Sequence, residues 1–259
     1  MLDFIDDSQY ELALYDDFRA KELQLNYWLP VYLPQWSSRK KTVPSYYIKN
    51  SILTLFIKDD QEPWCPEWNG QVRVSNIQTG VFSGEVGSTQ GQHHFTEGLI
   101  VREKQEKEIK VALRYGYVEC HARCNLSEEN VAALWLIGVE EERKQSAEIC
   151  LFEIKGWNVK ESSAVIGYGV HPFGDYEIED EFIEDEMIIN VSRWNTYALD
   201  WSENEITFFV NGKIVRKIKQ SPNYSMQLML NLYDIENKKN DGNTFEIDYI
   251  EVYQKSNKF

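Results

Sequence analysis

Glu148-Ile149-Cys150-Leu151-Phe152-Glu153 places two carboxylates on a strongly β-prone run. Successive side chains of a strand point to opposite faces, so Glu148 and Cys150 share one face while Ile149 and Leu151 share the other. Strict alternation would send Glu153 into the apolar face beside Ile149 and Leu151, where an unpaired charge is expensive. A one-residue bulge at Leu151-Phe152 removes the conflict. It resets the alternation, returns Glu153 to the side of Glu148 and Cys150, and turns Ile154 into the core. Such bulges occur beside active sites and also at ordinary sheet edges.

Outward from this strand, the chain continues to read as β-structure. Upstream, residues 115–124 alternate cleanly: Val118, Cys120, Ala122 and Cys124 form an apolar face opposite Tyr117, Glu119, His121 and Arg123. That polar face either meets solvent or lines a cleft. Residues 131–137 form an apolar strand containing Trp135, and Glu140-Glu141-Glu142 reads as a solvated loop. Downstream, residues 165–170 form a strand that ends at His171-Pro172-Phe173-Gly174, and the acidic segment 175–186 reads as cover for a rim. Residues 197–201 and 206–210 are consecutive strands. Asn211-Gly212 is a hairpin turn, because both residues accept positive φ. Residues 226–232 and 245–253 supply the last two strands, and residues 46–58 a strand pair turning at Lys49-Asn50. Helical periodicity is confined to Tyr10–Phe18. The remaining segments are loops: an aromatic and proline-rich stretch over residues 1–45, laid over the body; Pro63–Gly70, which contains Trp64 and Trp68; and Gly80–Gly98, with five glycines and His93-His94. About a dozen short strands with long loops predict an all-β, two-sheet antiparallel sandwich or jelly roll, forming a single domain over residues 1–259.

Of the 259 residues, 42% are hydrophobic and 14% aromatic, more aromatic surface than a core requires. The net charge of −15 argues against a nucleic acid or an anionic membrane as partner and points to a neutral ligand. The oligomeric state cannot be read from the sequence. Cys65, Cys120, Cys124 and Cys150 are too few and too scattered for a disulfide framework. No second cysteine pair completes a zinc site, so no metal is expected. Free thiols fit a reducing compartment, and Met1–Asp7 lacks the basic and apolar regions of a signal peptide. The expected location is the cytoplasm, or outside the cell if a leader has been removed. No phosphate-binding loop, dinucleotide fingerprint or nucleophile elbow is present.

The order of segments resembles glycoside hydrolase family 16, the laminarinase-like β-glucanases with a concanavalin A-like jelly roll. The family's Glu-x-Asp-x-x-Glu marker is matched by residues 148–153, with Cys150 in place of Asp. Tyr115-Gly116-Tyr117-Val118-Glu119, Ala133-Leu134-Trp135-Leu136, the strand and hairpin from Tyr197 to Gly212, Met226–Leu232 and Asp248–Tyr253 are similar to further family segments. The resemblance implies Glu148 as nucleophile and Glu153 as general acid/base of a retaining, endo-acting hydrolase or transglycosylase on a neutral β-linked polysaccharide or oligosaccharide. Retention needs the two carboxyls roughly 5–5.5 Å apart. The charge of Glu148 is then expected to raise the pKa of Glu153. Cys150 occupies the third catalytic position. A thiol hydrogen-bonds poorly, so Glu148 would lose the positioning that the Asp gives. As a residue in its own right, Cys150 is either a thiol nucleophile with no evident base or a small buried thiol. The second outcome is therefore a carbohydrate-binding protein with weakened or lost catalysis.

The candidate substrate-binding residues are Trp135, as a sugar platform or a core tryptophan; His171, at the cleft or on the surface; Glu119 and His121; Asn231 and Tyr233, which share a strand face; and Trp64. No cofactor is expected, apart from a structural calcium near Asp248 that some relatives suggest.

Overall fold

The computed structural model of the protein describes residues 9–236 and 242–256, so the Met1–Asp7 stretch lies outside the described residues. Sixteen strands occur among the described residues. The first eight are β1 (Tyr10–Asp16), β2 (Ser45–Lys49), β3 (Ile52–Phe56), β4 (Arg73–Gln78), β5 (Gly80–Val81), β6 (Glu108–Ile109), β7 (Gly116–Asn125) and β8 (Asn130–Gly138). They are followed by β9 (Glu148–Val159), β10 (Ala164–His171), β11 (Ile183–Met187), β12 (Asn195–Trp201), β13 (Ile206–Val210), β14 (Lys213–Ile218), β15 (Met226–Asp234) and β16 (Thr244–Lys255). An eight-stranded sheet runs β14-β13-β12-β7-β16-β3-β2, with β1 on the C-terminal half of β16. A six-stranded sheet runs β11-β10-β9-β8-β15-β4, and β5 pairs with β6. All the pairings are antiparallel.

Period-two patterning assembles this sandwich. Val118, Cys120, Ala122 and Cys124 of β7 face Ile149, Leu151, Phe152 and Ile154 of β9 in one continuous core. Phe152 packs on Tyr197 across the two sheets, with ring centroids 4.3 Å apart. The outer face of the six-stranded sheet is also apolar. Ala133, Trp135, Ile137, Cys150 and Met229 build a second cluster there with Tyr32, Trp36 and Trp64 from the N-terminal third. Both faces of this sheet are therefore covered, and all nine residues of β8 are buried. The proline-rich segment lies over this face as expected: Leu29 bridges Gln78 at the β4 edge, and Leu33 and Trp36 are fully buried in the outer cluster, while Trp28 enters the core between the sheets.

The turn chemistry behaves as the residue types require. Asn211 and Gly212 both take positive φ in a two-residue hairpin between β13 and β14. The β2–β3 turn sits at Asn50-Ser51, both with positive φ, one residue beyond the expected Lys49-Asn50.

Three local readings are corrected. Tyr10–Phe18 is not helical: Tyr10–Asp16 is β1, bulged at Ala13, because pairing with the C-terminal strand outweighs a weak helical period. The acidic segment does more than cover a rim. Its end is β11, the edge of the six-stranded sheet, whose carboxylates Glu184 and Glu186 pair with Lys155 and Lys160. A charged edge strand resists pairing with other chains. Glu140 is not solvated. It is 6% exposed with φ 57°, and it accepts the His93 backbone N–H at 2.5 Å. All four cysteines are free and buried, and no helix among the described residues is long and apolar enough to cross a membrane.

Candidate active site

The bulge sits in β9 where the charge argument requires it. Opposite β8, Trp135 pairs with Cys150 and Leu134 with Phe152. Opposite β10, Gly169 pairs with Cys150 and Gly167 with Glu153. Leu151 is the extra residue, so Leu151 and Phe152 both enter the core while Glu148, Cys150 and Glu153 face outward together. Beside them β10 carries no side chain at two positions. A Cβ on Gly169, at φ +141°, would meet the Glu181 carbonyl oxygen at 2.2 Å, and one on Gly167 would meet the Phe182 ring at 2.5 Å. The Glu181-Phe182 segment thus lies directly against the strand that borders the carboxylates.

The three residues line a cleft of about 380 Å³ with Trp64, Trp135, His171 and Tyr233. Of the sequence candidates the structure brings together Glu148, Cys150, Glu153, Trp64, Trp135, His171 and Tyr233. Trp135 is held edgewise by its indole N–H, which donates to Asn231 Oδ1. Asn231 is itself fully buried, so it holds the Trp135 ring from behind and is not part of the cleft lining. Trp64 donates to Asn69 Oδ1 at 2.8 Å and meets Tyr32 edge-on, while the Tyr32 and Tyr233 hydroxyls lie 3.1 Å apart. His171, opposite Glu148 on β10, stacks on Phe182 at 4.5 Å and pairs with Asp180 at 3.3 Å.

Glu119 and His121 are not in the cleft. They sit on β7 in the other sheet, on the face turned away from the core. There Glu119 accepts from the Tyr117 and Tyr249 hydroxyls, and His121 binds Asp248 at 2.8 Å and stacks between Trp194 and Tyr249. The alternation of β7 holds, with Val118, Cys120, Ala122 and Cys124 in the core, but which outer face carries the cleft depends on sheet assignment. Asp248 is the bulged residue of β16 and is committed to His121. Among the described residues no group of three or more His, Cys, Asp or Glu side chains is arranged to hold a metal ion.

Sequence reasoning missed His93, Phe95 and Phe173, which close the cleft from two loops. The only signals were the His pair and the His-Pro-Phe-Gly motif, and neither carries a spatial code. His93 is 8% exposed, with its ring edge-on to both Trp135 and Phe173 at 4.8 Å.

Desolvation dominates the electrostatics of the cleft. Burial, reinforced by the charge of Glu153, pushes Glu148 up to about 8. Its side chain is 13% exposed and its nearest cation-forming group, His93 Nδ1, is 3.9 Å away. Glu153 is more open, at 28%, and lies 3.2 Å from Lys155 Nζ, which also pairs with Glu184. Burial, then His171 and His94, push His93 down to about 3, so its ring is neutral. The Cys150 thiol is raised well above its usual value by burial, then by Glu153 and Glu148. It therefore stays protonated and is a poor nucleophile.

Burial also pushes Glu140 up to about 8. A carboxyl whose ordinary value of 4.5 rises to about 8 on folding holds its proton more tightly in the native state. Its contribution to stability is full below 4.5 and is lost as pH climbs through 8. The melting temperature should fall between pH 5 and 9. Glu140→Gln, which keeps the acceptor for His93 and removes the titration, should fall less over the same interval. Calorimetry showing equal falls in both proteins would refute this assignment.

Comparison with known proteins bears on the site. The sequence model of Glycosyl hydrolases family 16 matches residues 103–251. No curated protein matches the chain in sequence. Among solved structures, a GlcNAcα1-4Gal releasing endo-β-galactosidase from Clostridium perfringens superposes with TM-score 0.84 at 24% identity, covering 98% of this chain and 64% of that one. This chain therefore spans about 64% of that protein's length. The catalytic domain of an endo-1,3-β-glucanase from Thermotoga petrophila gives TM-score 0.60 at 14% identity, covering 96% and 99% of the two chains. A laminarinase from Flavobacterium sp. UMI-01 gives 0.61 at 17%, covering 94% and 100%. At these identities the superpositions establish the jelly-roll sandwich.

Proposed function

The chain belongs to glycosyl hydrolases family 16, and from that premise we propose that it is a retaining, endo-acting glycoside hydrolase of neutral β-linked glycans. The observation that carries this reading is the bulge, which sets Glu148 and Glu153 on one face of one strand inside an aromatic-walled cleft. Trp64, Trp135, Phe95 and Phe173 offer apolar area to the C–H faces of sugar rings, and the Tyr32–Tyr233 hydroxyl pair can bond to ring hydroxyls.

In the first step the Glu148 carboxylate attacks the anomeric carbon, the bond to the leaving oxygen breaks, and Glu153 supplies that oxygen with a proton. In the second step Glu153 takes a proton from water, which attacks the same carbon and releases Glu148. In the free protein burial places a proton on Glu148, while Glu153 is paired with Lys155. Attack by Glu148 requires its carboxylate form, so productive binding has to displace the proton that burial favours there.

Reducing-end release should be measured on laminarin, lichenan, agarose, xyloglucan and a glycan ending in GlcNAcα1-4Gal. The last is included because the endo-β-galactosidase is named for releasing that disaccharide. Turnover on at least one, absent in Glu148→Gln, is the expected result; no difference between the two proteins on any of them would sink the reading. A second reading, a glycan-binding protein with little catalysis, draws support from Cys150. This buried thiol lies between the carboxylates and supplies no strong hydrogen bond to Glu148. Cys150→Asp should raise turnover if the cleft is catalytic, and should leave glycan binding without hydrolysis if it is not.

A further inference from the structure

Glu148 lies in a part of the cleft where its own strand provides no strong donor. Cys150 stands two residues on and offers only a weak S–H. On the opposite side is His93. Its Nδ1 is a buried side-chain nitrogen without a hydrogen-bond partner, 3.9 Å from Glu148 Oε2. An unpaired buried donor is costly, and a few tenths of an ångström to one ångström of approach would pair it with the carboxylate.

The ring is held for that purpose on every side. Trp135 and Phe173 meet it edge-on at 4.8 Å, and Phe95 stacks on it at 6.1 Å. Its backbone takes φ 54°, a conformation unusual for a non-glycine residue, and the buried Glu140 carboxyl holds it there by accepting the His93 N–H. Glu140 is also at positive φ, so two strained residues from separate loops lock one imidazole in place.

We propose that His93 is a positioning residue that donates Nδ1–H to the Glu148 carboxylate, filling the orienting role left open by Cys150. This deepens the proposed function, because it rests on Glu148 being the nucleophile. The neutral ring suits the task. An imidazolium would add a charge that burial disfavours, whereas a neutral N–H stabilises the carboxylate directionally and leaves the general acid's proton alone. The other titratable groups facing Glu148 are Glu153 and Cys150 on its own strand, His171 on β10, and the Tyr32 and Tyr233 hydroxyls across the cleft. None of these is a buried, unpartnered nitrogen donor.

The test compares His93→Phe, which keeps the ring contacts and deletes the N–H, with His93→Asn. Asparagine tolerates positive φ and places an amide N–H near the position of Nδ1. The Glu148 carboxyl is titrated by NMR on protein labelled with ¹³Cδ-glutamate, assigned by Glu148→Gln and separated from Glu140 by Glu140→Gln. In His93→Phe the Glu148 titration should move up by about one unit, and kcat on a substrate found above should fall about 10- to 100-fold with KM little changed. His93→Asn should recover most of both effects. If His93→Phe does not fold, His93→Gly accepts the same backbone, and added imidazole should lower the Glu148 titration again. A Glu148 titration identical in wild type and folded His93→Phe overturns the proposal, as does loss in His93→Asn equal to that in His93→Phe. The titration needs no substrate. An upward shift in a protein that hydrolyses nothing would therefore count against the proposed function while leaving the His93–Glu148 hydrogen bond standing.

Discussion

Glu148→Ala should lower turnover by at least about 10⁴-fold, since removing a covalent nucleophile ordinarily costs that much or more. Added azide should restore part of it and yield an α-glycosyl azide from a β-linked substrate. The small anion fits the space vacated by the carboxylate and attacks from that side, so a single displacement inverts the anomeric centre. Glu153→Ala should respond to azide in the opposite sense. There Glu148 still forms the glycosyl-enzyme, azide replaces water in the second displacement, and the product keeps the β configuration. The comparison matters because the free-protein electrostatics, with Glu148 pushed up to about 8, would on their own suit Glu148 to the acid's role. ¹H NMR of the azide product, through its anomeric coupling, decides the roles. A β-azide from Glu148→Ala would exchange the assignments of the two glutamates and remove the basis of the His93 proposal. The variant should not be less stable than wild type above pH 8, because it deletes a carboxylate that burial penalises.

Breaking the ion pair between Arg73 and Asp234 should produce the largest loss of stability. Both side chains are almost entirely buried, at 1% and 0% exposure. The guanidinium donates through Nε and Nη2 to Asp234 and through Nη1 to the Lys58 and Asp59 carbonyls at 3.0 and 3.2 Å. One side chain thereby joins β4, the last residue of β15 and the loop after β3. Removing one partner strands a buried charge, which costs about 3–5 kcal/mol. For a protein of this size that corresponds to a fall in Tm of roughly 10 °C. Arg73→Met and Asp234→Asn should each show it, and the double variant should lose less than the sum, because it leaves neither charge buried without its partner. Calorimetry of the three variants measures this, and strictly additive losses would show that the pair is not coupled. Tyr233, adjacent to Asp234, lines the cleft, so the single variants should also bind glycan more weakly.

How much was legible beforehand follows from the range of the forces involved. The bulge at Leu151-Phe152 could be derived from six residues, because side-chain alternation and the expense of burying an unpaired carboxylate act within one strand. The Asn211-Gly212 turn is equally local. The resemblance to family 16 rested on strands of this kind, and the matched segment of the family covers most of them. Arg73, by contrast, sits between Val72 and Val74 in a run that shows no special pattern. Its partner is 161 residues away, and nothing local marks either residue as buried.

The residues decided by tertiary structure share that feature. Glu119 and His121 have the same alternating signature as a cleft strand, yet β7 belongs to the sheet that does not carry the two glutamates, and strand order is a long-range property. His93 and Glu140 looked like loop polar groups until the loops folded over Trp135 and buried both. The raised pKa of Glu148 is hidden for the same reason: repulsion between the two glutamates can be read from their spacing, but the larger effect on Glu148 is desolvation, which depends on what the loops put on top of it. Sequence alone determined the two-sheet sandwich, the bulged strand and the pair of glutamates on its outward face, because these follow from periodicity and local sterics. Only the tertiary structure decided which glutamate is the less exposed, and that a histidine from a distant loop stands over it, because burial is a sum over neighbours that the order of residues does not display.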